Sequence, residues 1–374
     1  MREAVIVEAV RTPVGRVRGR LAGVRSDEIL ADVLKELVER AGVNNGVIED
    51  VIVGCVSQTG EQGGNIARTS ALMAGYPIKV PGVTIDRQCG SSLQAVHFAA
   101  QAIISGDMDV VVAAGVESMS RVPMFSNMDG AHKSPIINNQ YELINQGLSA
   151  ERIAEKWGLT EQELNEYSVE SHRRALESLK NGTFDQELVK LENIQIDEGP
   201  RPGTTVEVLA GLKKVFKEDG LISAGNASQM SDGASAVLIM SHDKAKELGL
   251  KPMAKIISRA VVGSDPTLML TGPIEATKQA LERVNLSIED IDTYEVNEAF
   301  APVPLAWLKE LGADPSKLNP NGGAIALGHP LGATGTKLLT TIIHRMEREQ
   351  LRYGLIAICE GMGMANATII ERLE

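Results

Sequence analysis

Short uninterrupted apolar runs alternate along this chain with longer segments in which apolar residues return every third or fourth position, the mark of strands alternating with amphipathic helices. Residues 4–9 (AVIVEA) read as a buried strand, and Ser26 caps a helix carrying Ile29, Leu30, Val33, Leu34 and Leu37 that closes near Gly42. The strand VIVGCV follows at 51–56. Leu93, Val96, Ala100 and Ile103 then recur at helical spacing up to Gly106, so a helix begins close to Cys89. The wholly apolar DVVVAAGVE after it predicts a central strand covered on both faces.

The pattern changes at Ser118. From there to about Leu221 the chain is polar, with Asn138 and Asn139, an amphipathic helix near 149–157 and a second at 161–180 ended by Asn181-Gly182. Few strand signals occur, and the stretch reads as an inserted, more exposed subdomain. ASAVLIM (234–240) returns to the earlier style, and MAKIISRAVVG (253–263) starts a new unit. The division is therefore a core domain of 1–117 with 222–250, an insert of 118–221, and a second core domain of 251–374.

The second core unit repeats the first. The helix at 26–41 leads to Ile48-Glu49-Asp50 and an apolar strand, and a helix at about 274–284 leads to Ile288-Glu289-Asp290 and DTYEVNEA. The two triplets lie 240 residues apart, an offset that carries Cys89 onto His329 in the loop NGGAIALGHPLGATG. Both residues are followed by a helix and then by a buried strand, GLIAIC in the second case. Duplicated halves packed about a pseudo-twofold axis bring equivalent loops together, which predicts that cysteine and histidine meet. Strand–helix alternation in each half predicts a mixed, mostly parallel sheet covered by helices.

Composition narrows the function classes. A net charge of −12 over 374 residues argues against a nucleic-acid surface. Cys55, Cys89 and Cys359 are far apart and form no C-x-x-C pair, so neither a disulfide framework nor a metal site is suggested. No apolar run reaches membrane-spanning length, and the expectation is a cytoplasmic protein. Five arginines from Arg11 to Arg25, in a glycine-rich loop, read either as an anion site or as a solvated turn.

Candidate chemistry centres on Cys89. A thiol at a helix start sits beside unpaired N–H groups and the positive dipole end, which favour thiolate, and Gly90, Ser91 and Ser92 leave room for a carbonyl to approach. A free cysteine is also commonly a small core residue. The order of islands decides between these readings: RTP at 11–13, GVESMSRVP at 115–123, AGNAS at 224–228, DGA at 232–234, TGP at 271–273, NEAF at 297–300, the His329 loop, and Cys359 followed by Gly361 and Gly363. Across nearly its whole length the chain resembles the thiolases, which transfer acyl groups between coenzyme A thioesters through a cysteine thioester.

That resemblance implies an α/β fold, a duplicated αβαβα layered core with an inserted loop subdomain. It makes Cys89 the nucleophile, His329 the group that deprotonates it, and Cys359 the carrier of a proton to or from the α-carbon. His329 with a water on Asn297 forms one oxyanion site, and the amides of Cys89 and Gly361 form the other. The resemblance places coenzyme A against the insert, with Arg201 at the adenine end and Leu209, Leu212 and Phe216 along nucleotide and pantetheine. Ala224, Gly225 and Ser228 meet the pantetheine amide, and Met269, Ala299 and Phe300 form the inner wall. Lys213, Lys214 and Lys217 read either as phosphate partners or as a solvated face.

No tightly bound cofactor and no metal are implied; coenzyme A and acyl-CoA enter as substrates. The resemblance implies a homodimer or homotetramer, with DVVVAAG inside the subunit interface. Three positions depart from the family's pattern: Asp86 replaces a common asparagine, CEGMGMA replaces a glycine run, and Asn145-Gln146-Gly147 replaces the His-Met-Gly of short-chain biosynthetic members. They leave the chemistry standing and shift the expected substrate from acetoacetyl-CoA towards longer 3-ketoacyl chains. A ketoacyl-synthase type of condensing enzyme is expected to carry histidine or asparagine in place of Cys359. A non-catalytic CoA-binding protein has no need of both Cys89 and His329. GMGMAN at 361–366 is a near miss to a dinucleotide fingerprint, without the βαβ unit that fingerprint needs.

Overall fold

In the computed structural model, which describes residues 2–131 and 134–373, the first half comprises β1 (Ala4–Arg11), β2 (Gly15–Arg16), α1 (Ser26–Ala41), β3 (Asp50–Gly54), α2 (Ile66–Met73), β4 (Gly82–Ile85), α3 (Ser91–Ser105) and β5 (Val110–Ser118). Four helices follow, α4 (Pro135–Gln140), α5 (Gln146–Lys156), α6 (Glu161–Lys180) and α7 (Val206–Ala210), before β6 (Ser231–Ser241) closes the half. The second half runs α8 (His242–Glu247), β7 (Ala254–Gly263), α9 (Gly272–Glu282), β8 (Thr293–Val296), α10 (Pro302–Leu311), α11 (Ala324–Leu327), α12 (Thr334–Glu349), β9 (Tyr353–Glu360) and β10 (Met364–Arg372).

Local chemistry accounts for the elements that position the site. Leu93, Val96, Ala100 and Ile103 of α3 are fully buried, and Gly106 at φ 91° ends the helix by returning its N–H to Ala102 and Ile103. In α6, Thr160 and Glu163 form a reciprocal capping box, as the polar start of that segment requires. All nine residues of β5 are buried. Val110, Val112, Ala114 and Val116 face one core, and Val111 and Ala113 face another.

The strands lie in the order β4-β3-β5-β6-β1-β7-β10-β9-β8, with β2 beside β6. From β3 to β8 the order reads as a palindrome, β3 matching β8, β5 matching β9, β6 matching β10 and β1 matching β7. Among the described residues, the two half-sheets pair at Val5↔Lys255 and Ile6↔Ala254. Three cores separate five layers: α1 packs outside the first half-sheet, α3 and α12 lie between the half-sheets, and α9 and α10 cover the second. This is the expected αβαβα arrangement.

Three expectations are corrected. The sheet is mixed but predominantly antiparallel: only β3·β4, β3·β5 and β8·β9 are parallel, against six antiparallel pairings. The repeat offset is 243 residues, since Asp50↔Val111 in the first half recurs as Thr293↔Gly354 in the second. Cys89 is thus equivalent to Gly332, and His329 to Asp86. β5 is also no candidate for a subunit interface, because it is wholly buried mid-sheet; the exposed edge is β4, where Val83 is 42 % accessible.

Candidate active site

Edge strand β4 delivers a five-residue loop, Asp86–Gly90, to the start of α3. The loop holds itself: Gln88 N donates to Asp86 Oδ1 at 2.6 Å, Arg87 N donates to Ser91 Oγ at 2.9 Å, and Ser91 Oγ donates to Gln88 O at 2.6 Å. Gln88 adopts φ 48°, a left-handed conformation a non-glycine residue seldom takes, immediately before Cys89. Cys89 is 7 % accessible. Burial, then the neighbouring Cys359 and Glu360, push its thiol well above the ordinary cysteine range. The dipole argument for a resting thiolate is therefore overturned by desolvation, and the nucleophile waits as a thiol.

Cys359 lies near the end of β9, fully buried, in a cluster with Met269, Ala299, Phe300 and Ile325. Burial pushes its thiol up to about 12, and a hydrogen bond from the Asn297 side chain partly opposes that. His329 follows α11, its Nε2 3.4 Å from Asn297 Nδ2 and its Nδ1 2.6 Å from Thr334 Oγ1. Thr334 Oγ1 donates its proton to Pro330 O at 2.9 Å, so it accepts from Nδ1–H. Nε2 is left as the basic nitrogen. Burial, with Lys337 second, brings the imidazole down to about 3, which keeps it neutral throughout the physiological range.

The structure thus links Cys359 to Asn297 and Asn297 to His329 by side-chain hydrogen bonding, and sets Cys89 within electrostatic reach of Cys359, the four residues coming from four separate elements. Asn297 Oδ1 is buried with no protein partner. Gly361 is the tight point between the β9–β10 turn and the nucleophile loop, since a Cβ there would lie 2.9 Å from Gln88 Oε1. Thr334 belongs to the GATG end of the His329 loop, and its role in fixing the tautomer is visible only in three dimensions.

The residues assigned to coenzyme A fall in two groups. Phe216 and Phe300 pack edge to face at 5.9 Å, in the same cluster as Met269 and Ala299. Gly225 lies under Leu209 and Leu212, where a Cβ would come within 2.6 Å and 2.8 Å of their methyl groups. Ser228 N donates to Ala299 O at 3.0 Å and ties the two groups together, with Ala224 exposed just upstream. Arg201 stands apart, exposed, its guanidinium donating to Gln229 Oε1 at 3.5 Å. Lys214 and Lys217 pair with Glu161 and Asp219. Arg11 is fully buried against Glu187 and Asp197, so it is no part of an anion site.

Two thiols at strand and helix ends, a neutral imidazole and a layered duplicated core define an acyl-transferring enzyme of the thiolase type. The thiolase N-terminal domain model matches residues 4–243, and the thiolase C-terminal domain model matches residues 250–372. The chain is 50 % identical to a steroid 3-ketoacyl-CoA thiolase of Mycobacterium tuberculosis, over 100 % of this chain and 95 % of that protein. It is 42 % identical to a 3-ketoacyl-CoA thiolase of Bacillus subtilis, covering 99 % and 100 %, and 42 % identical to an acetyl-CoA acetyltransferase of Pseudomonas aeruginosa, covering all of both. The crystal structure of the Bacillus anthracis acetyl-CoA acetyltransferase superimposes with a TM-score of 0.92 at 40 % identity, covering 100 % of this chain and 99 % of that one. The chain belongs to the thiolase family and is an acyltransferase.

Proposed function

We propose that this thiolase cleaves 3-ketoacyl-CoA with coenzyme A, giving acetyl-CoA and an acyl-CoA two carbons shorter. The observation that carries the reading is two buried thiols within electrostatic reach of each other, one of them linked through Asn297 to a neutral imidazole with its basic nitrogen at Nε2. Cys89 passes its proton to His329 Nε2 as Sγ attacks the C3 carbonyl. The C2–C3 bond then breaks, its electrons form the thioester enolate, and Cys359 protonates C2. Incoming coenzyme A gives its thiol proton to Cys359 and attacks the acyl thioester; the released Cys89 thiolate recovers its proton from His329. His329 with a water on Asn297, and the amides of Cys89 and Gly361, are the proposed donors to the two oxyanions.

The insert at 118–221, with Arg201, Leu209, Leu212 and Phe216, is the proposed seat of coenzyme A, closed by Ala224, Gly225, Ser228, Met269, Ala299 and Phe300. Because Lys214 and Lys217 are already paired, the phosphates rely less on them than the sequence suggested. Two copies are proposed to pair edge to edge through β4, which leads straight into the nucleophile loop. Three free thiols suit a reducing compartment, and the cytoplasm is the proposed location.

Gln146, the first residue of α5, and the turn Gly361-Met362-Gly363-Met364 are the positions proposed to relax the acyl site. The steroid thiolase among the relatives supports a bulky or long acyl chain. Hydrophobic pockets discriminate by about 1–3 kcal/mol per methylene, so the preference should be graded. Thiolysis rates for a chain-length series decide it: kcat/KM for a six-carbon or longer 3-ketoacyl-CoA should at least equal that for acetoacetyl-CoA. A strong preference for acetoacetyl-CoA favours the second reading, acetyl-CoA acetyltransferase, which the Pseudomonas and Bacillus anthracis relatives support.

A further inference from the structure

Behind the nucleophile, where β9 and β10 pass beneath the start of α3, polar atoms gather without partners. Glu360, next to Cys359 but on the opposite face of β9, is fully buried, and neither carboxyl oxygen has a hydrogen-bond partner among the described residues. The same holds for Asn366 Oδ1, Gln94 Oε1 and Arg87 Nε. Glu360 and Asn366 both press on Gly90: a Cβ there would lie 1.9 Å from Glu360 Oε1 and 2.8 Å from Asn366 Nδ2, and Asn366 Nδ2 donates to Gly90 O at 2.9 Å. The carboxyl therefore abuts the residue immediately after Cys89.

The duplication supplies an internal comparison. By the 243-residue offset of the paired strands, Glu360 is equivalent to Glu117. Glu117 is also fully buried, yet it accepts from Val56 N, Ser57 N, Gln62 Nε2 and Gly332 N, all between 2.9 and 3.1 Å. Gly332 is the counterpart of Cys89. In the first half, then, the carboxylate is bound by the amide of the loop it supports; in the second, the matching carboxylate is bound by nothing. A buried, unpaired carboxylate costs several kcal/mol, and such a group takes up a proton instead.

We propose that Glu360 is a proton-switched positioning residue for Cys89: protonated, it leaves the N-terminus of α3 to the developing thiolate, and ionised, it sets a second negative charge beside that thiolate. The groups around it are Arg87 and Asp86 from the nucleophile loop, Cys89 itself, Cys359 beside it on β9, the neutral Gln94 of α3 and the neutral Asn366 of β10. Burial raises its carboxyl to about 8, with Arg87 opposing and Asp86 adding to the rise. The switch thus falls just above neutrality. A folded-state value above the ordinary carboxylate range means that the protonated form prevails below about pH 8 and is lost as pH rises through it.

The inference rests on acylation of Cys89, which is checked first in the wild-type enzyme; absence of any acetyl-enzyme at all pH values is a failure of that reading and not of the switch. The test is the single-turnover rate of Cys89 acetylation by acetyl-CoA from pH 6 to 9.5, in wild type and Glu360→Gln, whose amide keeps the shape and neutrality of the protonated acid. One pH unit above the switch only about one molecule in ten stays protonated, so the ratio of variant to wild-type rate should rise about tenfold between pH 7 and pH 9. A ratio constant over the range, whatever its value, overturns the proposal, since a purely structural role scales all pH values alike. Arg87→Gln gives a second arm that leaves Glu360 in place. It should move the alkaline break of the wild-type profile upward by removing the opposing cation, and an unmoved break also overturns the proposal.

Discussion

At the scale of single residues, burial outweighs every other influence on the site. Cys89→Ala should abolish acetyl-enzyme formation and leave the fold intact, because an alanine fits the same small space at the entrance to α3; mass spectrometry and circular dichroism check both halves of that expectation. Iodoacetamide should label Cys89 before Cys55, because Cys55 is wholly inaccessible and its thiol is also raised by burial, with Glu117 adding to the effect. Cys359→Ser should still permit acetyl transfer onto Cys89 while slowing carbon–carbon bond cleavage by orders of magnitude, since only the proton step at C2 is lost. Equal losses in both half-reactions, read by burst and steady-state kinetics, would assign Cys359 to the nucleophile instead. The residues themselves were legible from sequence, because a cysteine, NEAF, a histidine loop and C-x-G in one order are specific. Their states were not. The thiol form of Cys89 and the bare carboxyl of Glu360 depend on groups hundreds of residues away, and the Nδ1–H tautomer of His329 depends on how its own loop folds Thr334 back onto the ring.

At the scale of elements, the site depends on how closely α3 and α12 cross. Thr336 N donates to Ser92 Oγ at 3.0 Å, and a Cβ on Gly335 would lie 2.1 Å from Leu93 N. Backbone stands on the far side of that contact, so Gly335→Ala must push the helices apart. We expect a loss of about 1–3 kcal/mol in urea unfolding, as for other overpacked cores, and slower acylation because Thr334, which orients His329, is the adjacent residue. Helix positions followed from apolar spacing, as with α3 and α6, because a helix buries one face whatever lies opposite. Strand direction did not follow. β6 runs antiparallel to β5 only because the chain returns after the insert from the other end of the sheet, and no local pattern records that. The repeat offset failed for a local reason: Ile48-Glu49-Asp50 runs directly into β3, whereas Ile288-Glu289-Asp290 stops short of β8, which begins at Thr293. The triplets look alike and occupy different turns.

At the scale of the whole molecule, β4 and β8 end the sheet; β8 is buried and bridged by Leu318, whereas β4 is the exposed edge. It is short and half exposed, with Val83 facing outward, and it is the strand that carries the nucleophile loop. Light scattering at micromolar concentration should show a dimer or a larger assembly, and Val83→Asp should shift it to monomer and reduce activity together. A monomeric wild-type enzyme, or a dimer indifferent to Val83→Asp, would exclude β4 as the contact. Sequence suggested the wrong strand for this role because β5 and an interface strand are equally apolar; only the strand order tells an inner strand from an outer one.

The pairing of β1 with β6 also fixes the order of events during synthesis. Ala4 lies opposite Ser241 and Arg11 opposite Ser235, so β1, once it leaves the ribosome, waits for the end of the insert before its main partner exists. At typical translation rates that interval is on the order of ten to fifty seconds. During it the nascent chain can pair β4, β3 and β5, but the apolar edge of β5 that β6 will cover stays open. High contact order of this kind slows folding and leaves the growing chain prone to association, which makes the emerging first half a natural client for ribosome-bound chaperones.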